Sequence, residues 1–422
     1  MTINKHRGIR GYSRPALGAL LAAIIVSTAA ASDQLSRGDV ANLSANVTLQ
    51  SRAIGQAHAR YGLFGVNTLP NWNDHYFADG FDKNGNPNRE WFTNTVGNPP
   101  QLGGTTRINA PIVPVIMDLR NEDGTPRFVN GQPLVSSPDA FIAPILNSPV
   151  FAFSNWSSSS VPTQLIDAIQ RASYFSRAKD DWHTLLVPSV KTARKMVLNK
   201  GTYFFALNDD GSCCLAILVD TQTAFNAIFA VDSTDPLTTI MGAAAAAGDI
   251  TTKDVSILLF NNVFLFDFGP NDAPLVPGFH NFDFQEPNKL YAMAFVSWVT
   301  PGLLLPPFDF VQDITGLSHE LAEILNDPFG PATIHNITPW WLTQIEVGPQ
   351  CADLLEVGDP LQFLPNSDYP ITMNGMTYHP QNVALVPWFK RESPSSALHN
   401  AYSYPDETVL TQLSPLEGAN CQ

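Results

Sequence analysis

The sequence predicts an α+β protein: a mixed β-sheet, then one short helix carrying the polar motif, then a long loop-rich C-terminal section. Three observations predict it. Apolar runs of strand length, bounded by Gly, Asp or Asn, crowd the middle of the chain, and few stretches show helical spacing. Proline takes 34 of 422 positions while charged residues make up only 14%, against ~5% and ~25% in ordinary domains. The apolar fraction of 44% is normal, so the chain reads as loop-rich and folded.

Residues 1 to 31 carry Lys5, Arg7, Arg10 and Arg14, an apolar run from about Ala16 to Val26, and then the small residues Ala29, Ala30 and Ala31 before Ser32. That is the layout of a secretory signal peptide. The run is well short of the ~20 residues that span a bilayer, so the expectation is an exported chain without a membrane span. Its removal leaves 391 of the 422 residues and takes the formal charge from −15 to −19. A surface this acidic repels phosphate, which argues against nucleic acid or an anionic membrane as partner.

From Ser32 to Arg107 the chain is polar and punctuated by Asn, Gly and Pro, and reads as a loop-rich N-terminal segment preceding a domain over 108–422. A first strand is expected at Ile112 to Asp118 and a helix over Thr163 to Phe175, with Pro162 near its first position. Strands follow at Trp182 to Val187, Thr202 to Leu207, Cys214 to Val219, Ser256 to Phe268 and Leu290 to Val299. The alanine run between Gly242 and Gly248 reads as a turn or short helix. Cys213, Cys214, Cys351 and Cys421 travel to an oxidising compartment, where one or two disulfides are expected. A bond between the adjacent Cys213 and Cys214 would be strained, which favours one of them bridging to Cys351 or Cys421.

The stretch Thr315 to Pro328 carries the chemistry. Ile314, Leu317, Leu321, Ile324 and Leu325 fall on one helical stripe, and His319 and Glu323 lie together on the other side, ~40° apart. Asp313 or Thr315 is placed to cap this helix, and Asp327-Pro328 to end it. An imidazole and a carboxylate at i and i+4, with a Glu directly after the first, suit two ligands of a metal ion and a general base for the water it holds. The plainer reading is a surface helix with a polar face, and a short motif alone is weak. Its company strengthens it: the acidic segment Cys351 to Pro360 offers Glu356 and Asp359 as a third ligand, with Asp353 and His335 as weaker candidates. A set of one imidazole and two carboxylates is harder than a His-rich zinc site; Zn²⁺ fits best, with Mn²⁺ and Ca²⁺ as alternatives. His379 is a candidate oxyanion or ligand group, though a lone loop histidine is more often structural. Trp340-Trp341 and Trp388-Phe389 read as core more than as a substrate groove. The sequons at Asn42, Asn46, Asn155 and Asn336 matter only in a glycosylating host.

The phrase Ser318-His-Glu-Leu-Ala-Glu323, followed by Asn326-Asp-Pro328 and Glu356-Val-Gly-Asp359, resembles secreted microbial proteins related to zincin metallopeptidases and, more distantly, the plant Exordium or phosphate-induced proteins. Patches at Gln170-Arg-Ala172, Asp210 to Cys214, Pro387-Trp-Phe389 and Tyr402 to Pro405 extend the likeness to about half the chain. The resemblance implies a zincin-like domain, His319 and Glu323 as ligands, Glu320 as base, and a third ligand from Glu356 to Asp359. It also implies a Gly-Tyr-His after the paired cysteines, where this chain has Leu215-Ala-Ile217. The expectation is therefore an exported metal-dependent hydrolase, a zincin-type metallopeptidase acting on peptide or a cell-surface polymer, secreted, periplasmic or at the cell wall. The alternative is a non-catalytic secreted or wall-associated binding protein on the same scaffold.

Overall fold

The computed structural model describes residues 33–43, 69–81, 87–231, 233–266, 275–286, 289–306, 308–329, 341–343, 350–352 and 355–413. The expected signal peptide, His335, Asp353, Trp340, Cys421 and the sequons at Asn46 and Asn336 lie outside them.

The chain is α+β, and among the described residues two sheets have more than two strands. The larger one is built on strand β1, Thr105–Arg120, whose first half pairs in parallel with β2, His183–Val190, and whose second half pairs in parallel with β3, Arg194–Asn199. The smaller sheet holds β4, Tyr203–Leu207, and β5, Cys213–Asp220, antiparallel to each other, with the short strand Gln34–Leu35 beside β4. Strand β6, Val255–Asn261, returns to the larger sheet beside β1, whereas β7, Val263–Phe266, joins the smaller one beside β5. The single apolar run at Ser256 to Phe268 thus serves two sheets. The break falls at Asn262, whose φ of 51° turns the chain, a left-handed conformation that Asn tolerates better than most residues. Strand β9, Lys289–Trp298, runs parallel to β6, and β8, Gly278–Glu286, pairs antiparallel with β9.

Strands β6 and β9, and β1 from Ala110 on, are buried on both faces, and their alternation divides two cores. Ile108, Ala110, Ile112, Ile257, Leu259, Ala292, Ala294 and Val296 face one core, and Val113, Val115, Leu258, Phe260, Met293 and Phe295 the other. Period-two geometry with apolar residues at every position is what a sheet covered on both sides requires. The first core is closed by helix α1, Leu165–Ser173, and helix α2, Thr315–Asn326. The second is closed by the smaller sheet and the helices Thr221–Ile228 and Ile240–Ala246. The latter is the alanine run, a helix whose N-cap Thr239 accepts from the Gly242 N–H at 3.1 Å.

Several expectations are corrected. The segment 32–107 is not simply loops: Asn71–Phe81 and Pro87–Val96 pair as an antiparallel hairpin, their aromatic residues outweighing the Asn and Gly around them. Helix α1 begins two residues late, because Thr163 is held in a bridge with Ser154 while its hydroxyl donates to Asp167. Neither Asp313 nor Thr315 caps α2: the N-cap is Ile314, and both side chains are engaged with the segment at His379. Cys213 and Cys214 bond to each other, against the expectation of a longer bridge. The peptide between them is cis, and their Cα atoms stand 3.0 Å apart. Trp388 and Phe389 are buried in the first core, as expected. Among its described residues the C-terminal section is mainly connecting chain with short pairs, such as Ile371–Met373 with Met376–Tyr378 and Val383–Ala384 with Ser403–Tyr404. Among the described residues no helix is long and apolar enough to cross a membrane.

Candidate metal centre

Every residue of α2 is buried. Its apolar stripe packs into the first core, and its polar side, which a surface helix would turn to water, faces a closed interior. His319, Glu320 and Glu323 are each 0% exposed. Buried ionisable groups at this density cost several kcal/mol each unless something compensates their charge.

A later segment and an earlier strand complete the interior. The run Leu355 to Leu361 passes beside α2, with Leu355 N donating to Asp327 at 3.1 Å and Ala384 N donating to the Val357 carbonyl at 2.7 Å. It delivers Glu356 and Asp359, both buried. Both acids singled out from the sequence reach the cluster, on different sides of it: Asp359 Oδ1 is 3.7 Å from His319 Nε2, and Glu356 Oε2 is 3.7 Å from Nε2 of His280. His280 comes from strand β8, at the edge of the larger sheet. Its Nδ1 lies 3.0 Å from Glu320 Oε2 and 3.3 Å from Glu323 Oε2.

The orientation of His319 follows from a chain of hydrogen bonds. Gln381 donates from Nε2 to the Gly358 carbonyl at 2.7 Å, which leaves its Oε1 to accept from His319 Nδ1–H at 2.9 Å. Gly358 N–H donates to Glu323 Oε1 at 3.0 Å. With Nδ1 used as a donor, Nε2 of His319 points into the cluster, 3.1 Å from Glu323 Oε2 and 3.9 Å from Glu320 Oε1. An amide oxygen behind the ring is the arrangement that fixes a metal-ligating histidine. Nε2 of His319, Oε1 of Glu320 and Oε2 of Glu323 are all buried without a hydrogen-bond partner of good geometry.

Glycine lets the backbone close in. A Cβ on Gly358 would stand 2.6 Å from Cε1 of His319, and one on Gly278 would stand 2.8 Å from Oε1 of Glu320. Asp359 is steadied by Gln362, whose Nε2 donates to Oδ1 at 3.0 Å.

The electrostatics are those of a crowded anionic pocket. Burial alone would lower the His319 imidazole, but Glu323 and Glu320 beside it outweigh burial and push it up to about 10. His280 is raised well above its ordinary value for the same reason, burial opposed by Glu356, Glu320 and Glu323. Burial and the Glu323 charge raise Asp359, and burial raises Glu320. Glu323 is lowered, the two imidazoles prevailing over burial. Pulling titrations this far apart is a mark of functional sites.

His280, Gln381, Gly278 and Gly358 escape the sequence reading. The signal for His280 is the triplet Gly278-Phe279-His280, an aromatic-His pair after Gly of the kind sought beside the cysteines; it arrives much later in the chain, and Leu215-Ala-Ile217 has no part in it. Strand β8 is hard to read because Asn281 and Asp283 interrupt its apolar residues. His379 does not face the cluster: its Nδ1 is 2.6 Å from Asp313 Oδ2, and its backbone N–H donates to the same carboxylate.

A scan against protein-family models and searches of the curated proteins and of the solved structures find no match to this chain.

Proposed function

We propose that this chain is an exported metal-dependent hydrolase of zincin type, acting on peptide or a related cell-surface polymer. The observation that carries the reading is the convergence of three buried atoms lacking hydrogen-bond partners, on His319, Glu320 and Glu323, in a pocket lined by further carboxylates. A cation answers what those atoms lack, and the donors present, imidazole and carboxylate, fit Zn²⁺, with Mn²⁺ and Ca²⁺ as alternatives. His319 and Glu323 would hold it, with Asp359 from the later segment. When bound, such an ion polarises a carbonyl and acidifies water. The protein's own part is to orient and to move a proton. Gln381 fixes the His319 ring, Gly358 N–H fixes one oxygen of Glu323, and Glu320 keeps Oε1 open toward the His319 side while Oε2 is held by His280. Glu320 is thereby placed as general base, its affinity for a proton raised by burial.

Glu320→Gln should leave cation content near that of the parent while abolishing hydrolysis of a peptide library; unchanged turnover removes Glu320 from the mechanism. His319→Ala should cost the cation, and retention at full stoichiometry refutes the ligand assignment. A second reading, a non-catalytic binding protein in which the cation is structural, draws on the complete burial of the cluster. It predicts that chelation unfolds the protein and that no substrate is turned over.

A further inference from the structure

We propose that the cluster is a two-cation centre bridged by Glu323, with His280 and Glu356 forming a second site beside that of His319. This rests on the reading above that the cluster binds a divalent cation, and it adds a second ion that the motif on α2 does not imply.

The groups divide into two sets. Ligand atoms of His319, Glu320 and Glu323 lie within 4.8 Å of one another, as do those of His280, Glu323 and Glu356, and Glu323 alone belongs to both. Its two oxygens have separate tasks. Oε1 is tied to the Gly358 N–H at 3.0 Å, while Oε2 makes no hydrogen bond of good geometry and stands between two imidazoles, 3.1 Å from His319 Nε2 and 3.3 Å from His280 Nδ1. A buried carboxylate oxygen shared in this way is placed to bridge, and bridged ions ~3.5–4 Å apart are the usual spacing of two-metal sites. The outer acids extend the division: Asp359 Oδ1 lies 3.7 Å from His319 Nε2, and Glu356 Oε2 lies 3.7 Å from His280 Nε2, the nitrogen His280 offers to a cation while its Nδ1 serves Glu320. Each half then offers one imidazole and one carboxylate of its own, with Glu323 between them.

Charge points the same way. Four carboxylates, Glu320, Glu323, Glu356 and Asp359, are buried together. Among the described residues no lysine or arginine pairs with Glu320, Glu323 or Asp359; their ion pairs are to histidine. A divalent cation on each side of Glu323 would meet these buried acids without a lysine or arginine. The second site also accounts for His280, which a one-cation centre at His319 leaves as a lone imidazole among acids.

The test is stoichiometry on the full-length exported protein. Chelator-stripped protein is titrated with Zn²⁺ by calorimetry, its metal content is measured by mass spectrometry after gel filtration, and Mn²⁺-loaded protein is examined by electron paramagnetic resonance. Two ions per chain are expected, with a spin-coupled Mn²⁺ spectrum. His280→Ala and the near-isosteric Glu356→Gln should each retain one ion per chain and lose the coupled signal, the second variant serving should the first not fold. Saturation of the parent at one ion, unaffected by either substitution, overturns the two-cation centre and leaves the one-cation hydrolase standing. Absence of any tight ion overturns both.

Discussion

Replacing Gly358 by alanine isolates one contact in the candidate centre. The backbone there is ordinary right-handed, φ −83° and ψ −37°, so alanine meets no conformational penalty. The obstacle is space alone: the new Cβ would sit against Nδ1 of His319, 2.6 Å from Cε1 and 3.0 Å from Cγ, where carbon contacts settle at ~3.5 Å or more. Something must move by the better part of an ångström, and each way out breaks a bond. Shifting the imidazole costs its 2.9 Å hydrogen bond to Gln381. Shifting the Gly358 backbone costs the 3.0 Å bond to Glu323 and the 2.7 Å bond from Gln381. Overpacking of this kind costs ~1–3 kcal/mol, and loosening a ligand's support costs ~10–100-fold in metal affinity. Urea unfolding reads the first effect as a lower midpoint at unchanged slope, and cation titration reads the second. The control is Gly38→Ala in the helix Arg37–Leu43, where the nearest atom is Ser36 Oγ at 3.6 Å and stability should hold or rise by up to ~1 kcal/mol. Should Gly358→Ala keep both the midpoint and the affinity of the parent, the hydrogen-bonded chain through Gln381 and Gly358 does not position His319 as argued.

Gln381→Leu keeps the size of the side chain but removes the acceptor behind His319 Nδ1; cation affinity should fall ~10–100-fold with circular dichroism unchanged, and equal affinity would show that the ring does not need fixing. The pH response should have opposite signs with and without the ion. In the metal-free protein His319 is raised to about 10, so its contribution to stability is full below its unfolded value near ~6.5 and fades as pH rises toward 10. Cation binding displaces that proton, so affinity should rise over the same window; calorimetry in buffers of differing ionisation enthalpy counts the protons released, and zero release at pH 7 would contradict the raised imidazole. Gln170 donates to the carbonyls of Val96 at 3.2 Å and Leu325 at 3.1 Å, joining α1 to the hairpin and to α2. Gln170→Ala should cost ~1–3 kcal/mol by leaving buried carbonyls unsatisfied, and a cost below ~0.5 kcal/mol by urea unfolding would mean this tie is not structural.

The α+β class, seven of the nine labelled strands (two of them within one apolar run) and the motif helix are legible in the order of residues, because a strand buried on both faces must be apolar throughout and a packed helix must carry a stripe. The residues named on α2 lie side by side since i and i+4 are neighbours on any helix, and Glu356 and Asp359 stand out as acids in a chain poor in charge. Distance along the chain hides the remainder. His280 enters on an edge strand, Gln381 from a loop, and the space for the His319 ring is kept by a glycine whose φ and ψ are unremarkable. Whether the polar side of α2 met water or a closed pocket depended on what packs over it, and local periodicity carries no information about that. The sequence determined which groups could share a cation; the tertiary structure decided that two imidazoles and four carboxylates do converge, because burial and long-range contact are properties of the folded chain and not of any segment within it.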